Sequence, residues 1–291
     1  MTIDLNFLEV SHPDLKTLNI KSYIPRDSWK FILYSGLIFV VIFCVENINH
    51  RFWLNDFRVY YMAAKAFIAG EQVYGVSFGL GTGFFKYSPM TLLLFTPYTI
   101  APIQAANIIH FIISACCTIA SFLVIEQIIV DHLFVPRTKR THLLLMVVFF
   151  CVLNHLFREV HLGNINMIIV LLLSIALSLV LKSKSVTAGF LLALVIITKP
   201  YFIFFCLLPL LMHRKIKTIL SMFVFLLIFF IVPIVFVGFT KNLSLHQQWL
   251  SAISGHSSYL YSNHTIVSLI QFYFYPAISS KVTYYIIVLV G

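Results

Sequence analysis

Long apolar runs are the feature that most limits what this chain can fold into. A helix needs about 20 apolar residues to cross the hydrocarbon core of a bilayer. Of the 291 residues 60% are apolar and 10% are charged, whereas soluble domains carry about 25% charged residues. The sequence therefore predicts an all-α polytopic transmembrane protein and excludes a soluble one. The expected apolar segments are residues 29–45, 103–130, 142–157, 165–181, 186–212 and 219–237, and a last run that begins at Tyr284.

Clusters of basic residues set the expected orientation, because cytoplasmic loops are enriched in Lys and Arg. Twelve of the twenty Lys and Arg fall on one side if the N-terminal segment with Lys30, the loop at 137–140, Lys182 with Lys184, and residues 214–217 are cytoplasmic. The formal net charge of +10 is then a topology signal and does not indicate nucleic acid binding. We expect a cytoplasmic segment at 1–28 and a single multi-pass domain at 29–291, in the plasma membrane of a bacterial cell.

This orientation has two structural consequences. Residues 89–100 should insert only partly, so that 103–130 forms the true second span. Residues 186–212 should form two short helices that meet at Lys199 and Pro200, because proline breaks a helix. An ionisable group at membrane depth is a functional hypothesis by default; the alternative is a lysine that snorkels to the outer interface.

An interfacial helix is predicted at residues 55–70, in the first outer loop. Asn55 or Asp56 could cap its start and Gly70 could end it, and an aspartate near the positive end of the helix dipole is favoured in its ionised form. Asp56 is then either a helix cap or a proton acceptor. Only four carboxylates remain on the outer side for such a role: Glu46, Asp56, Glu71 and Glu159. The apolar face of the helix should hold Phe57, Tyr60, Tyr61, Ala64, Phe67 and Ile68, opposite Arg58, Met62 and Lys65.

The chain lacks the motifs of soluble nucleotide-dependent enzymes. The sequence contains no GxGxxG, no GxxxxGK[ST] and no DxD pair that would hold a metal–nucleotide complex.

A series of short segments occurs along the chain. Asp56 begins the sequence DFRVYYMAAKAFIAGEQVYG, and Phe85, Lys86, Tyr87, Ser88 and Pro89 lead into the next apolar run. Later segments are GNIN at 163–166, AG at 188–189 followed by KPY at 199–201, and SNHTI at 262–266. From about residue 50 to the end, this series resembles glycosyltransferase family 87, integral membrane GT-C enzymes that include polyprenyl-phosphomannose-dependent mannosyltransferases and a related arabinofuranosyltransferase.

The resemblance implies a GT-C-like fold and an inverting transfer of a hexose or pentose, with mannose favoured, from a polyprenyl-phosphate donor to an extracytoplasmic glycan or glycolipid. It implies that Asp56 is the general base. Since the chain has no nucleotide motif, an outward-facing transferase would need a lipid-linked donor, whose prenyl chain could lie between spans that are rich in Phe. The outward cations that could bind the donor phosphate are Lys86, Arg158 and Lys199. The mechanism requires no metal, although a divalent cation is left open. The family usually has Gly-Gln-x-Asn at 163–166 and Asn-Gln-Ser at 263–265, and it usually continues for more helices, so an incomplete chain is expected. The implied substrate-binding residues are Arg58, Tyr60, Tyr61, Lys86, Tyr87, Arg158, Asn164, Asn166, Lys199, Asn263 and His264.

Two other functions are compatible with the sequence. A transporter would use Lys199 at a broken helix as a substrate site, but no inverted repeat is visible and the outer loops are the larger ones. A non-catalytic GT-C-like assembly protein would be favoured if Asp56 pointed into protein without opening on a cavity. The enzyme hypothesis predicts instead that Asp56, Arg158 and Lys199 converge on one outward cavity.

Overall fold

The computed structural model of the protein describes residues 28–79, 83–132 and 142–254. These ranges are helical and contain no β-strand beyond one isolated antiparallel bridge between Ser77 and Phe84. The helices are α1 (Ser28–Ile48), α2 (Asn55–Ala69), α3 (Pro89–Phe95), α4 (Ile103–His132), α5 (His142–Leu162), α6 (Asn166–Leu181), α7 (Ser185–Thr198), α8 (Phe202–Met212), α9 (Ile216–Ile231), α10 (Ile234–Val237) and α11 (Phe239–Ser254).

Four helical segments in the described part of the chain are long and apolar enough to cross a membrane. They are α1, α4, α5 and the segment Ile216–Val237, which joins α9 and α10. Three shorter apolar helices, α6, α7 and α8, accompany them. The prediction of an all-α polytopic membrane protein is confirmed. The run that begins at Tyr284 and the segment 1–27 lie outside the described residues.

Both predicted interruptions of the apolar runs are present. Helix α7 ends at Thr198 and α8 begins at Phe202, and Lys199 has an extended backbone (φ −132°, ψ 92°), as expected for a residue that precedes proline. At the other interruption, α3 is followed by a 3-10 turn (Thr96–Ile100) before α4 begins. Whether α7 and α8 each cross the membrane stays a prediction.

Contacts between helices show which helix ends lie together. The ring of Tyr34 in α1 is 6.5 Å from that of His142 at the start of α5, and Nδ1 of His161 near the end of α5 is 2.9 Å from Glu46 Oε2 near the end of α1. Helices α1 and α5 therefore run in the same direction. The Ser221 hydroxyl likewise donates to the Val186 carbonyl at 3.0 Å, which joins the starts of α7 and α9. Lys182 and Lys184 precede α7, and Arg214 and Lys215 precede α9. These basic residues therefore lie at the opposite end of the helices from Glu46 and Lys199.

Helices α7 and α9 pack closely because Gly189 has no side chain. A Cβ atom at this position would lie 2.5 Å from Ser221 Oγ and 2.7 Å from the Met222 nitrogen. Small residues at such crossings allow helix backbones to approach closely in a membrane, where apolar burial between helices gives little net attraction.

Replacing Gly189 by alanine tests this packing. We expect Gly189→Ala to destabilise the protein by about 1–3 kcal/mol, because the helices must move apart. The control is Gly36→Ala in α1, where a Cβ meets nothing within 4 Å and helix propensity favours alanine by about 1 kcal/mol. Denaturant unfolding of the protein in detergent micelles measures both, and equal stabilities of the two variants would contradict the packing argument.

Candidate functional site

Helix α2 carries Asp56 in its first turn. Its bounds match the prediction, and Gly70 ends it with φ 78°, donating its backbone N–H to the carbonyls of Ala66 and Phe67. The predicted cap at the start is wrong. Leu54 occupies the N-cap position with φ 44° and no side-chain hydrogen bond, so Asn55 and Asp56 lie within the helix. The buried Leu54 side chain anchors this left-handed residue.

A tight turn between α5 and α6 packs against the start of α2. Gly163 has φ +66°, and a Cβ there would lie 2.9 Å from Phe57 Cβ and 3.0 Å from Leu54 Cβ. The Gly163 carbonyl is 3.0 Å from His110 Nε2, and since a carbonyl only accepts, Nε2 is the donor. The His110 ring also stacks on Phe57 with centroids 4.2 Å apart. Helix α4 therefore fixes the turn and α2 together.

This turn places an amide on the catalytic candidate. Asn164 Nδ2 donates to Asp56 Oδ2 at 3.0 Å. Burial raises the pKa of Asp56 above its ordinary value, and the negative charge of Glu159 raises it further. Lys86, the Asn164 hydrogen bond and Lys199 act in the opposite direction. The helix dipole alone therefore does not determine the pKa of Asp56.

A second polar chain runs from α5 to the break after α7. Asn166 Nδ2 donates to Glu159 Oε2 at 2.7 Å, and Lys199 Nζ donates to Asn166 Oδ1. One amide thus bridges a carboxylate and an ammonium group. The bridge holds Lys199 toward the side of the molecule where Asp56 lies.

One cavity of about 500 Å³ opens beside these groups. The Tyr60 and Tyr87 hydroxyls are 3.0 Å apart, and burial raises the pKa of Tyr87 to about 12, so this phenol stays protonated near neutral pH. Burial lowers the pKa of Lys86, while the charge of Asp56 opposes that shift. The side chains that line the cavity include Asp56, Tyr60, Lys86, Tyr87, Asn164, Lys199 and Tyr201.

Helix geometry explains which predicted residues of α2 reach the cavity. Successive residues are about 100° apart around a helix, so Tyr60, four positions after Asp56, shares its face. Arg58, two positions after Asp56, points away and is exposed. Tyr61 is buried, and its hydroxyl donates to the Ala101 carbonyl at 2.9 Å. Neither Arg58 nor Tyr61 lines the cavity, and the idea that they contact the sugar stays a prediction.

The prediction of convergence holds for Asp56 and Lys199 and is wrong for Arg158. Arg158 is exposed on α5 and does not line the cavity, whereas its neighbour Glu159 bonds to Asn166. Asn166 does not line the cavity but accepts a hydrogen bond from Lys199, which does. Asn263 and His264 lie outside the described residues. The structure describes no group of three or more His, Cys, Asp or Glu side chains that could hold a metal ion.

Two features of this region were not predicted from the sequence. Glu159 appeared only as one of four outward carboxylates, and its partner Asn166 follows seven residues later across a turn. Helix α11, which was not predicted, carries Trp249, whose Nε1 donates to the Lys86 carbonyl at 3.0 Å. The amphipathic pattern of residues 239–254 was the available signal.

Comparison with known proteins identifies the family. The family model of glycosyltransferase family 87 matches residues 84–291, which include Lys86, Asn164 and Lys199, whereas Asp56 and α2 precede the matched range. No curated protein and no solved structure matches the chain. Since the match covers more than half of a helical membrane protein, this chain belongs to glycosyltransferase family 87 and is a membrane-bound glycosyltransferase.

Proposed function

We propose that the protein transfers a sugar from a polyprenyl-phosphate donor to an extracytoplasmic glycan or glycolipid, with inversion at the anomeric carbon. Mannose is the favoured donor sugar. In this proposal Asp56 is the general base, and Lys199 and Lys86 bind the donor phosphate. Tyr60, Tyr87 and Asn164 contact the substrate or orient Asp56.

One observation carries the proposal: a carboxylate and two ammonium groups line the same cavity. Of the four carboxylates assigned to the outer side, Asp56 alone lines it. Glu46 is paired with His161, Glu159 is hydrogen-bonded to Asn166, and Glu71 lines a different cavity. A base and a phosphate-binding cation are the two groups that an inverting transfer from a sugar phosphate needs.

The reaction proceeds as a single displacement. The acceptor hydroxyl oxygen attacks the anomeric carbon as its proton passes to Asp56, and the bond between that carbon and the phosphate oxygen breaks. The electron pair of this bond stays on polyprenyl phosphate, whose negative charge Lys199 and Lys86 stabilise. The hydrogen bond from Asn164 orients Asp56, and the raised pKa makes it a stronger base than an exposed aspartate.

An apolar surface beside the cavity supports a lipid-linked donor. Tyr201 lines the cavity, and Tyr201, Phe204, Phe205 and Leu208 are all exposed. Their spacing places them in one stripe along α8. A prenyl chain lying on this stripe would leave its phosphate next to Lys199.

The position of the cavity relative to the basic residues supports an extracytoplasmic active site. The cavity and Glu46 lie at one end of the helices, and Lys182, Lys184 and the basic residues 214–217 lie at the other. Cytoplasmic loops are enriched in such residues. We therefore propose that the active site faces outward from the plasma membrane of a bacterial cell.

Neither rival function is favoured. Asp56 lines an open cavity, whereas a non-catalytic assembly protein would have no need for this opening. The break at Lys199 would also suit a transporter, but membership of a glycosyltransferase family favours transfer chemistry.

Asp56→Asn tests the base directly. We expect kcat to fall at least about 100-fold, because an amide cannot take the acceptor proton. Polyprenyl-phosphate mannose, glucose and arabinofuranose, each radiolabelled and tested separately in membranes, supply the assay. The matched control is Asp131→Asn near the other end of the molecule, which should keep full activity. Full activity of a folded Asp56→Asn protein would remove Asp56 from the mechanism.

The pH dependence of kcat/KM tests the electrostatics around Asp56. The base must be ionised, so activity should fall as pH falls through the pKa of Asp56. Glu159→Gln removes a charge that raises this pKa and should move the acid limb to lower pH. Lys86→Met removes a charge that lowers it and should move the limb to higher pH. Shifts in the same direction, or none, would show that another group controls the limb.

A further inference from the structure

A second cavity adjoins the first one and remains unexplained by donor binding. Its volume is about 720 Å³, larger than that of the cavity at Asp56. Phe84 and Lys86 line both cavities. The segment that carries these two residues therefore forms a wall that the two cavities share. We call this second space the α11 cleft, because α11 forms one of its walls.

The wall contributed by α11 is a polar stripe. Lys241, Ser244, Gln248 and Ser251 line the cleft and follow one another at spacings of three and four residues, so they share one helix face. Within this stripe, Gln248 Nε2 donates to Ser244 Oγ at 3.0 Å. The opposite wall is the turn after α2, which contributes Glu71 and Gln72.

The inward face of α11 keeps this wall in position. Trp249 donates to the Lys86 carbonyl, and the His246 ring lies 3.9 Å from the Phe230 ring. Asn242 Nδ2 also donates to the Phe230 carbonyl at 3.2 Å. Asn242, His246 and Trp249 are buried, whereas Lys241, Gln248 and Ser251 are exposed. The cleft therefore has a fixed frame and solvent-accessible polar groups.

The chemistry of the cleft matches a polyhydroxylated ligand. Two side-chain amides and two hydroxyls both donate and accept hydrogen bonds, and so does each sugar hydroxyl. One carboxylate, Glu71, and two ammonium groups, Lys86 and Lys241, give no strong excess of either sign. A prenyl chain does not suit this cleft, because it would cover these polar groups without forming hydrogen bonds to them.

We propose that the α11 cleft binds the saccharide portion of the acceptor, which makes the acceptor a glycan of at least two sugar units. This inference rests on the proposed function. The terminal sugar passes Lys86 and presents its hydroxyl to Asp56, while the preceding units lie between α11 and the turn after α2. The hydroxyl reacts in the first cavity, and the α11 cleft sets the preference for longer acceptors.

Acceptor length provides the test. The donor is the labelled polyprenyl-phosphate sugar that the wild-type protein uses. The acceptors are methyl glycosides and α-linked trisaccharides of mannose, glucose, galactose and arabinose, each tested separately. For the preferred sugar we expect a lower KM for the trisaccharide than for the methyl glycoside. The proposal would be overturned if, for each of the four sugars, the trisaccharide and the methyl glycoside had equal KM values.

Adjacent glutamines give a matched pair of variants. Gln248 lines the cleft, whereas Gln247 is exposed on the same helix and does not line it. Gln248→Ala should raise the trisaccharide KM about three- to tenfold, the effect of one lost hydrogen bond, and Gln248→Trp should raise it further by filling the space. The KM for the methyl glycoside should not change. Gln247→Ala and Gln247→Trp should behave as wild type, and equal effects at both positions would overturn the proposal.

Failure of the two proposals is distinguishable. If the wild type turns over no donor, the proposed function fails, and calorimetric titration of the same four trisaccharides then tests the cleft alone. Binding that Gln248→Trp abolishes and Gln247→Trp preserves supports the α11 cleft. Absence of binding by all four trisaccharides overturns it.

Discussion

The contact between the Gly163 turn and the first turn of α2 is the interaction on which the site depends. Only glycine fits there, because its φ is positive and a Cβ would press on Leu54 and Phe57. His110 fixes the same contact from α4 through the Gly163 carbonyl. With the turn in place, Asn164 meets Asp56 and α6 begins with Asn166 directed at Glu159 and Lys199. Residues more than 100 positions apart thereby become one site.

Charged residues are few in this protein, and their contacts distinguish those that are paired within the structure from the one that is open to a substrate. A charged group at membrane depth is costly unless it is paired or faces water. Glu159 and Lys199 satisfy each other through the amide of Asn166, and Glu46 pairs with His161. Asp56 has only an amide as its direct hydrogen-bond partner among the described contacts and opens on a cavity. Burial and the charge of Glu159 raise the pKa of Asp56, and the opening leaves one of its oxygens available for the acceptor.

Helices and breaks that depend on neighbouring residues in the sequence were predictable. The contacts between distant residues that form the site were not. The inability of proline to continue a helix predicted the break at Lys199 and Pro200. The helical spacing of apolar residues predicted α2. The N-cap was missed because the burial of Leu54 overrides the usual preference for a polar cap. Arg158 was predicted as a site residue because of its charge, but the sequence alone does not fix the rotation of α5, which brings Glu159 to Asn166. The amphipathic pattern of residues 239–254 indicates helix α11, but the tertiary packing of Trp249 and His246 does not follow from that pattern.

The central claim is that Asp56 and Lys199 act on opposite sides of one bond, the bond between the anomeric carbon and the donor phosphate. A structure of the full chain bound to a non-hydrolysable polyprenyl-phosphonate sugar measures this directly. The account predicts the phosphonate oxygens about 2.7–2.9 Å from Lys199 Nζ, with the anomeric carbon between the phosphonate and Asp56. A phosphonate bound away from Lys199, or a sugar whose anomeric carbon faces away from Asp56, would contradict it.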